Sequence, residues 1–466
     1  MLIANSKMEL RIEIEKKLEL IHKIVNTISI NDSPRYFRNF YEHLGDRTDL
    51  SNYINEWNDF FSEGNNLELD VEIHIPFCIK KCNFCFLESI KLENRDKIDY
   101  YLSFLQDFLN KFSEIKRKDV SMFFLGMGTP NILYTNQLRE LLSFIRTTFS
   151  FRKNDDNIIH RIIELNPKIV NKAHLDVIKD SNLFNRIEFG LQSLNVQTLK
   201  RENRLFVEFD RLMNLYRYTK NKGFHEVSFD LIYGLDGDSK KDFFDGLERL
   251  FKLKVDSIVV YGLQYHSRMK NKDSKFFKDF DEYNDVLSER FTEMTNIAET
   301  YGYGSTWRVF NQIKVFKFGD SSHVLEKKHS FEENLRALFV AGLHGFGYIP
   351  KNFKYEIIHY GNDNYNIKNL VFNVMKMESG NEIGSYVLQS ILRKGSVDFN
   401  QFRNIFGEEL THIFNDEIEY LKKMNVIDVN GNSLSFSRSK YPERILYSGL
   451  FYSVNHLEKL YNYIKK

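Results

Sequence analysis

Cysteine is nearly absent from this sequence: Cys78, Cys82 and Cys85 are the only three in 466 residues. An odd count in a large chain argues against a disulfide scaffold and suits a reducing compartment. An excess of one charge is also missing. Lys plus Arg total 65 against 64 for Asp plus Glu, a net charge of +1, so nothing draws the whole chain to nucleic acid or to an anionic membrane. Short basic clusters such as Lys116–Lys118 read as solvated faces. No apolar run approaches a membrane span. The first residues, MLIANSKMELRIEIEKKLEL, are charged throughout and carry no signal-peptide core, and a cytoplasmic protein is expected. No repeat or low-complexity linker breaks the chain. Phe (42) and Tyr (25) are plentiful; stacking surfaces and a biased codon pool both account for them. The length allows a large catalytic domain with one or two appended pieces.

The three cysteines stand together in VEIHIPFCIKKCNFCFLE, Val71–Glu88, at C-x3-C-x2-C spacing. Three thiolates can hold three irons of a cubane [4Fe–4S] cluster, which ordinarily takes four cysteines. With no fourth, one iron is left open to another ligand. Zinc held with the help of His74, or inert thiols, are the alternatives, although zinc sites usually present two separated ligand pairs rather than one compact triplet. A hydrophobic strand, Val71–Ile75, leads to the cysteines and Pro76 ends it. The site is therefore expected at the C-terminal end of a strand.

From Val71 the pattern repeats strand then helix, six times. The expected strands are Val71–Ile75, Val120–Leu125, Ile158–Leu165, Arg186–Gly190, Val227–Tyr233 and Ser257–Gly262, short apolar runs of the kind found in buried parallel sheets. Between them lie amphipathic stretches at Arg95–Lys116, Asn136–Thr148, Asn171–Asp180, Phe209–Lys222, Lys240–Lys252 and Asn284–Thr300. Alternating β and α predicts an α/β sheet with right-handed crossovers. Residues 1–69 read as a helical extension, with Ile12, Leu18, Ile21 and Val25 as a stripe that packs on the catalytic domain, and with breaks at Ser33–Pro34 and Glu63–Asn66. Residues 306–365 read as an irregular connecting segment. Residues 366–466 read as short helices at Val387–Leu392, Phe402–Phe406 and Ile413–Met424, then a hairpin around Asn430-Gly431. Helices followed by a hairpin look like a winged-helix domain, but no basic recognition stripe marks it for DNA.

Polar residues and glycines gather where the strands end. The second strand runs into Gly126-Met127-Gly128-Thr129-Pro130; the third ends at Glu164, followed by Asn166 and Pro167; the fourth ends at Gly190 and Gln192; the sixth ends near Gln264. The fifth contains Asp230 in an otherwise apolar run. In α/β barrels the active site lies at the C-terminal rim of the strands. Gly126 and Gly128 would let backbone amides approach a ligand, or simply turn the chain. Glu164 is either a ligand acceptor or a rim salt bridge. Asp230 must find a partner, because an unpaired buried charge is costly. Arg204 is one candidate partner, although Arg201 and Arg204 also read as the solvated face of a short helix.

The cysteine spacing, the words IHIPFC and CNFCF around it, and the later words FLGMGTPNIL, IIELNP, NRIEFGLQSLN and FDLIYGL resemble the radical S-adenosylmethionine (SAM) enzymes of the HemN-like branch, related to oxygen-independent coproporphyrinogen III oxidase. The likeness is close over roughly residues 70 to 265. It implies an open six-unit (β/α) barrel over 70–305, with the 366–466 domain acting as a lid. Cys78, Cys82 and Cys85 would hold the cluster, whose open iron binds SAM. Gly128 and Thr129 would contact the methionine part of SAM; Glu164, Gln192, Arg204 and Asp230 would line the rest of its site. Reductive cleavage of SAM would give methionine and a 5′-deoxyadenosyl radical that abstracts hydrogen from substrate.

The departures from the family pattern are specific. Glu72 stands where a SAM-holding tyrosine is usual, Met127 replaces a middle glycine, Glu188 replaces a serine, and Leu87 stands where true coproporphyrinogen oxidases carry a further cysteine. Gly304–Gln312 matches poorly the segment that helps hold a second SAM, and the His-Asn-x-x-Tyr-Trp word of the heme-chaperone branch is missing. Ala341–Gly347, AGLHGFG, resembles the glycine-rich return segment, with His344 either a proton-transfer group or a surface histidine. The expectation is a radical SAM enzyme with one SAM or two, acting on a tetrapyrrole or another unsaturated or aromatic compound. C-methylation leads, with oxidative decarboxylation of propionates and non-catalytic heme carriage as alternatives. The family implies a flavodoxin-like or ferredoxin-like electron donor; no nucleic acid and no membrane span are expected.

Overall fold

Alternation along each strand sorts this chain into an apolar face and a chemical one. The computed structural model describes residues 2–27, 46–62, 67–87, 89–151, 161–263, 280–308, 313–319, 336–343, 345–350, 353–359, 370–376, 379–436 and 447–465. Six strands lie parallel and in sequence order: β1 (Leu69–His74), β2 (Asp119–Gly126), β3 (Arg161–Leu165), β4 (Arg186–Gln192), β5 (Glu226–Tyr233) and β6 (Ser257–Gly262). Successive side chains point to opposite faces. One parity, with Val71, Ile73, Ile163, Ile187, Phe229 and Val260, enters the main apolar core. Burying each such side chain contributes about 2 kcal/mol. The other parity carries Glu72, Glu164, Arg186, Glu188, Asp230 and Tyr261.

Among the described residues two helices precede the sheet, α1 (Leu2–Thr27) and α2 (Leu50–Ser62). The crossovers after β1 to β6 are, in turn, α3 (Asp96–Leu109), α4 (Thr135–Thr148), α5 (Lys172–Asp180), the pair α6 (Val196–Arg201) and α7 (Phe209–Asn221), α8 (Lys240–Lys252) and α9 (Phe280–Thr300). Their starts are written in the sequence. Asn171 accepts from the His174 amide at 3.0 Å and Ser239 from the Asp242 amide at 3.1 Å, satisfying amides that have no partner inside the helix. The expected α/β architecture with six strand–helix units is present.

The sheet continues on both sides of those units, which corrects the irregular reading of residues 306–365. At one edge β8 (Ile313–Phe318) pairs antiparallel with β6, and β7 (Tyr303–Arg308) pairs antiparallel with β8. At the other edge β9 (Ala337–Ala341) adds parallel to β1. An antiparallel run of β10 (Phe346–Ile349), β11 (Phe353–His359) and β12 (Leu370–Lys376) follows, ending on Asp46–Thr48. IKVFKF at β8 is rich in β-branched and aromatic residues, as strands are, but its two lysines fall three apart, so it shows no period-two alternation.

The N-terminal extension serves two cores. In α2, Tyr53 and Trp57 are fully buried. Tyr53 stacks on Phe372 at 4.1 Å, and Trp57 meets Phe339 edge-on at 5.2 Å, so α2 packs against the strands beyond β1. α1 packs instead on the C-terminal core, through Leu20, Ile21 and Ile24, which corrects its expected place on the catalytic domain. Of the expected stripe, Ile21 is buried, Leu18 half-buried and Ile12 exposed. Lys17 is buried in an ion pair with Glu417 at 2.7 Å. Ser33–Pro34 and Glu63–Asn66 lie outside the described residues.

The C-terminal core runs α10 (Ser379–Lys394), β13 (Ser396–Asp398), α11 (Phe399–Phe406), α12 (Leu410–Ile413), α13 (Asn415–Lys423), β14 (Ile427–Asn430), β15 (Ser433–Phe436) and α14 (Val454–Ile464). β15 pairs with both β13 and β14, the three-stranded wing of a winged-helix arrangement. Ile405 packs on Leu338, Val340 and Tyr348, and Tyr348 is hydrogen-bonded to Glu382. Among the described residues, no helix is long and apolar enough to cross a membrane.

Candidate functional site

The C-terminal ends of the six strands surround a cavity of about 430 Å³, within the roughly 300–1,000 Å³ usual for small-molecule sites. The nine residues expected to hold the cluster and SAM all line it: Cys78, Cys82, Cys85, Gly128, Thr129, Glu164, Gln192, Arg204 and Asp230.

The cysteine loop leaves β1 at Pro76 and closes on itself. The Ile90 amide donates to the Pro76 carbonyl at 2.7 Å and the Leu92 amide to the Cys78 carbonyl at 2.9 Å. A second clamp joins the loop to the end of α6. Asn83 donates its backbone amide to the Glu202 carbonyl at 3.0 Å and its side chain to the Arg201 carbonyl at 2.8 Å. The Asn203 side chain donates to the Lys81 carbonyl at 2.9 Å. Cys82 is buried, Cys78 and Cys85 half-buried, and no disulfide joins them. Burial pushes the Cys78 thiol up and the Cys85 thiol up to about 11, so metal binding here must displace protons.

The fit of a cluster can be tested on the donor set. Among the described residues, no group of three or more His, Cys, Asp or Glu side chains converges on a single ion. A mononuclear zinc site needs that convergence. A cubane takes one thiolate per iron, and the three thiols that line this one cavity supply three of the four.

The glycine-rich turn after β2 packs under the cysteines. The Thr129 amide donates to the Ile75 carbonyl at 3.2 Å, and the Thr129 hydroxyl lies 3.4 Å from the Cys78 sulfur. Gly128 has φ +155°, and a Cβ there would sit 2.1 Å from the Ile75 oxygen, so the close approach requires glycine. Met127 is accommodated in the left-handed region at φ +59°, a conformation that costs a non-glycine residue about 1 kcal/mol. Its backbone amide is hydrogen-bonded to Glu164. The turn is also tied to β3: the Asn166 amide donates to the Asn131 side chain at 2.9 Å, and Asn131 returns the bond to the Asn166 carbonyl at 2.9 Å.

Opposite the thiols stand the acids. Glu164 and Glu188 are register partners on β3 and β4, and Gly190 is opposite Asp230. Burial, then the Glu188 charge, push the Glu164 carboxyl up to about 7; Arg204 and the Met127 amide oppose the shift. Asp230 is also raised by burial and by Glu188 and Glu164. It is 5 % exposed, and its Oδ1 has no hydrogen-bond partner. An orphaned carboxylate oxygen at a cavity wall is costly and fits a ligand's ammonium or hydroxyl, both of which SAM carries. Arg204 donates to the Gly190 carbonyl, and its other terminal nitrogen lies 3.6 Å from the Cys82 sulfur. Arg204 thus stands between thiols and acids rather than against Asp230 alone. Gln192 reaches the wall because β4 slips register between Gly190 and Gln192, with Gln192 at φ +71°.

Below the cavity, buried charges pair. Arg186 contacts Glu188 at 2.7 Å and Glu226 at 3.3 Å, and Lys317 contacts Glu226 at 2.9 Å. Burial alone would raise Glu226, but Arg186 and Lys317 hold it down at about 2. Glu188 therefore lines the cavity while anchored from beneath; burial pushes its carboxyl up and Arg186 opposes.

Other expected features fall elsewhere. Glu72 does not line the cavity; its carboxylate lies 3.6 Å from the His74 ring. Arg201 packs over Gly237, outside the cavity. Gly342, in the return segment, sits at φ +124° against Tyr101 and His74. His344, Gln264 and residues 309–312 lie outside the described residues. Among the described residues no side chain of the C-terminal core lines the cavity. Sequence reading missed Tyr261, Phe124 and Leu205 in the wall. Tyr261 was signalled only by parity, two residues on from Val259 along β6.

Comparison with known proteins adds independent findings. A family model described as the Radical SAM superfamily matches residues 73–250. The "Oxygen-independent coproporphyrinogen III oxidase" of Helicobacter pylori strain J99 is 30 % identical over 199 residues, 42 % of this chain and 42 % of that protein. The "Heme chaperone HemW" of Bacillus subtilis strain 168 is 26 % identical over 191 residues, 41 % of this chain and 49 % of that protein. The aligned stretch thus spans half or less of these curated relatives. The solved structure of coproporphyrinogen III oxidase (HemN) from Escherichia coli, whose title calls it a radical SAM enzyme, superposes with a TM-score of 0.68 at 19 % identity, covering 86 % of this chain and 93 % of that one. That likeness is one of fold.

Proposed function

We propose that this chain, a radical SAM protein of the HemN-like family, cleaves SAM reductively in the strand-end cavity and modifies a small organic substrate held in the same space. One observation carries the reading: thiols, glycine turn and acids that are far apart in sequence line a single cavity. Cys78, Cys82 and Cys85 would hold a [4Fe–4S] cluster, which supplies the electron for the cleavage when bound. The Gly128 turn brings backbone close to the thiols. Asp230 and Glu164 offer carboxylate oxygens for ammonium and ribose hydroxyl groups, and Gln192 adds an amide. Arg204 sets a fixed positive charge beside Cys82. Phe84, Phe124, Ile169 and Leu263 give the cavity apolar walls, which keep water from reactive groups.

The substrate is a small molecule, and a tetrapyrrole is the class the relatives' names support. Their names point to coproporphyrinogen oxidation and heme chaperoning, and neither is a methylation, so C-methylation and a second SAM draw no support from them. Heme carriage is the second reading, favoured by the HemW relative. The test is anaerobic: protein reconstituted with iron and sulfide is mixed with dithionite and SAM. Equal amounts of methionine and 5′-deoxyadenosine are expected, and none from Cys82→Ala. Tight heme binding with no methionine would transfer the assignment to the carrier reading.

A further inference from the structure

We infer that Glu188, Glu164 and Asp230 act together as an acid trio that holds a proton in the empty cavity and loses it to solvent when the positive charge of SAM arrives. This rests on the SAM reading of the cavity, and it gives a role to Glu188, the residue that stands in place of the family's serine. Strand register makes the trio. Glu164 and Glu188 are direct cross-strand partners on β3 and β4, and Asp230 on β5 lies opposite Gly190, two residues beyond Glu188 on the same face. Like charges placed directly opposite each other repel. A Cβ on Gly126 would come within 3.2 Å of Glu164 Oε2, and one on Gly190 within 3.5 Å of its Oε1, so the Glu164 carboxylate lies against both glycines.

The cations within reach are few. Among the described residues the cavity wall carries Arg204 and the exposed Lys80. Arg204 is engaged by the Gly190 carbonyl and stands 3.6 Å from the Cys82 sulfur. Beneath the wall, Arg186 is divided between Glu188 at 2.7 Å and Glu226 at 3.3 Å, and Lys317 answers Glu226. From β6, Tyr261 keeps its proton, held by burial and by the three carboxylates. The thiols of Cys78, Cys82 and Cys85 face the same space from the cysteine loop, and the Met127 amide donates to Glu164. Carboxylates crowded into one site do not all ionise while nothing further positive is bound. Burial and Glu188 accordingly push Glu164 up to about 7, and burial, Glu188 and Glu164 raise Asp230.

A second observation points to a ligand. Asp230 is 5 % exposed and lines the cavity with Oδ1 unbonded, an arrangement that the fold itself does not satisfy. SAM brings a sulfonium cation. S-adenosylhomocysteine has the same amino and carboxylate groups without that charge. Binding of SAM replaces the proton as the trio's counter-charge; the proton passes to the buffer and the charge of the site is conserved. Glu188 acts through Glu164 and Asp230, which makes it a positioning residue. The protons belong to the trio as a unit rather than to one carboxyl.

The test is calorimetry of the full chain, reconstituted anaerobically with iron and sulfide. It is titrated with SAM and with S-adenosylhomocysteine at about pH 6.5, in two buffers of different ionisation enthalpy, which counts the protons released. A proton shed by the ligand's amino group is common to both ligands, so the difference reports the sulfonium. Wild type should release about one proton more with SAM than with S-adenosylhomocysteine. Its preference for SAM over S-adenosylhomocysteine should rise severalfold as the pH climbs from about 6 to about 7, because the affinity for SAM grows as the trio's proton becomes easier to remove. Glu188→Gln and Glu188→Ser remove the charge and should cut the excess to less than about half a proton. Glu188→Asp keeps the charge and should keep the excess, which separates charge from misfolding. Equal release for the two ligands in wild type, or an excess that survives Glu188→Gln, would overturn the trio and leave SAM binding standing, as would loss of the excess from Glu188→Asp. No binding of SAM by the wild-type chain would sink the cavity reading, and the trio with it.

Discussion

Asp230 enters the cavity from β5 with one carboxylate oxygen unbonded and two other acids nearby. Its desolvation is uncompensated until a ligand arrives. Asp230→Asn should therefore raise the stability of the ligand-free protein, by about 1 kcal/mol in denaturant unfolding, while weakening SAM binding measured by calorimetry. A variant that loses stability would mean that Asp230 has a structural partner. This residue was legible in the sequence because an acid interrupts an apolar run. Glu188 was legible only as a departure from a family word; Arg186, two residues earlier on the same face of β4, pairs with it at 2.7 Å, but the sequence alone does not say that this face is buried. Tyr261 stayed hidden because an aromatic residue in a buried strand reads as core unless its parity is followed.

The cysteine loop is positioned as an element by its two clamps, to Pro76 and Cys78 on one side and to 201–203 on the other. Each hydrogen bond contributes about 1 kcal/mol. Asn83→Ala combined with Asn203→Ala should therefore loosen the loop without unfolding the sheet. Iron retained after anaerobic gel filtration should fall severalfold while circular dichroism stays unchanged; unchanged iron would show that the thiols are positioned without the α6 clamp. At this scale the sequence was a good guide where periodicity is strong. β6 and α8 fall on their expected bounds, and the strand-end glycines fall on the cavity. It failed over 306–365, where short antiparallel strands draw their apolar partners from distant segments, so no local run stands out.

Across the whole molecule, α1 and α14 wrap the C-terminal core, while α2 belongs to the catalytic sheet. The buried Lys17–Glu417 pair fastens the first of these. Breaking a buried pair from one side costs about 3–5 kcal/mol. Lys17→Ala should thus speed hydrogen exchange in α1 and the C-terminal core while SAM binding stays intact; faster exchange around the cysteine loop would show that the two cores act as one. The central claim is that three sulfurs hold a cluster with one iron left for SAM beside Asp230 and Glu164. The most direct measurement is the electron paramagnetic resonance spectrum of the dithionite-reduced, reconstituted protein before and after adding SAM. The account predicts a [4Fe–4S] signal that SAM shifts; zinc in place of iron, or a cluster signal that SAM leaves unmoved, would contradict it.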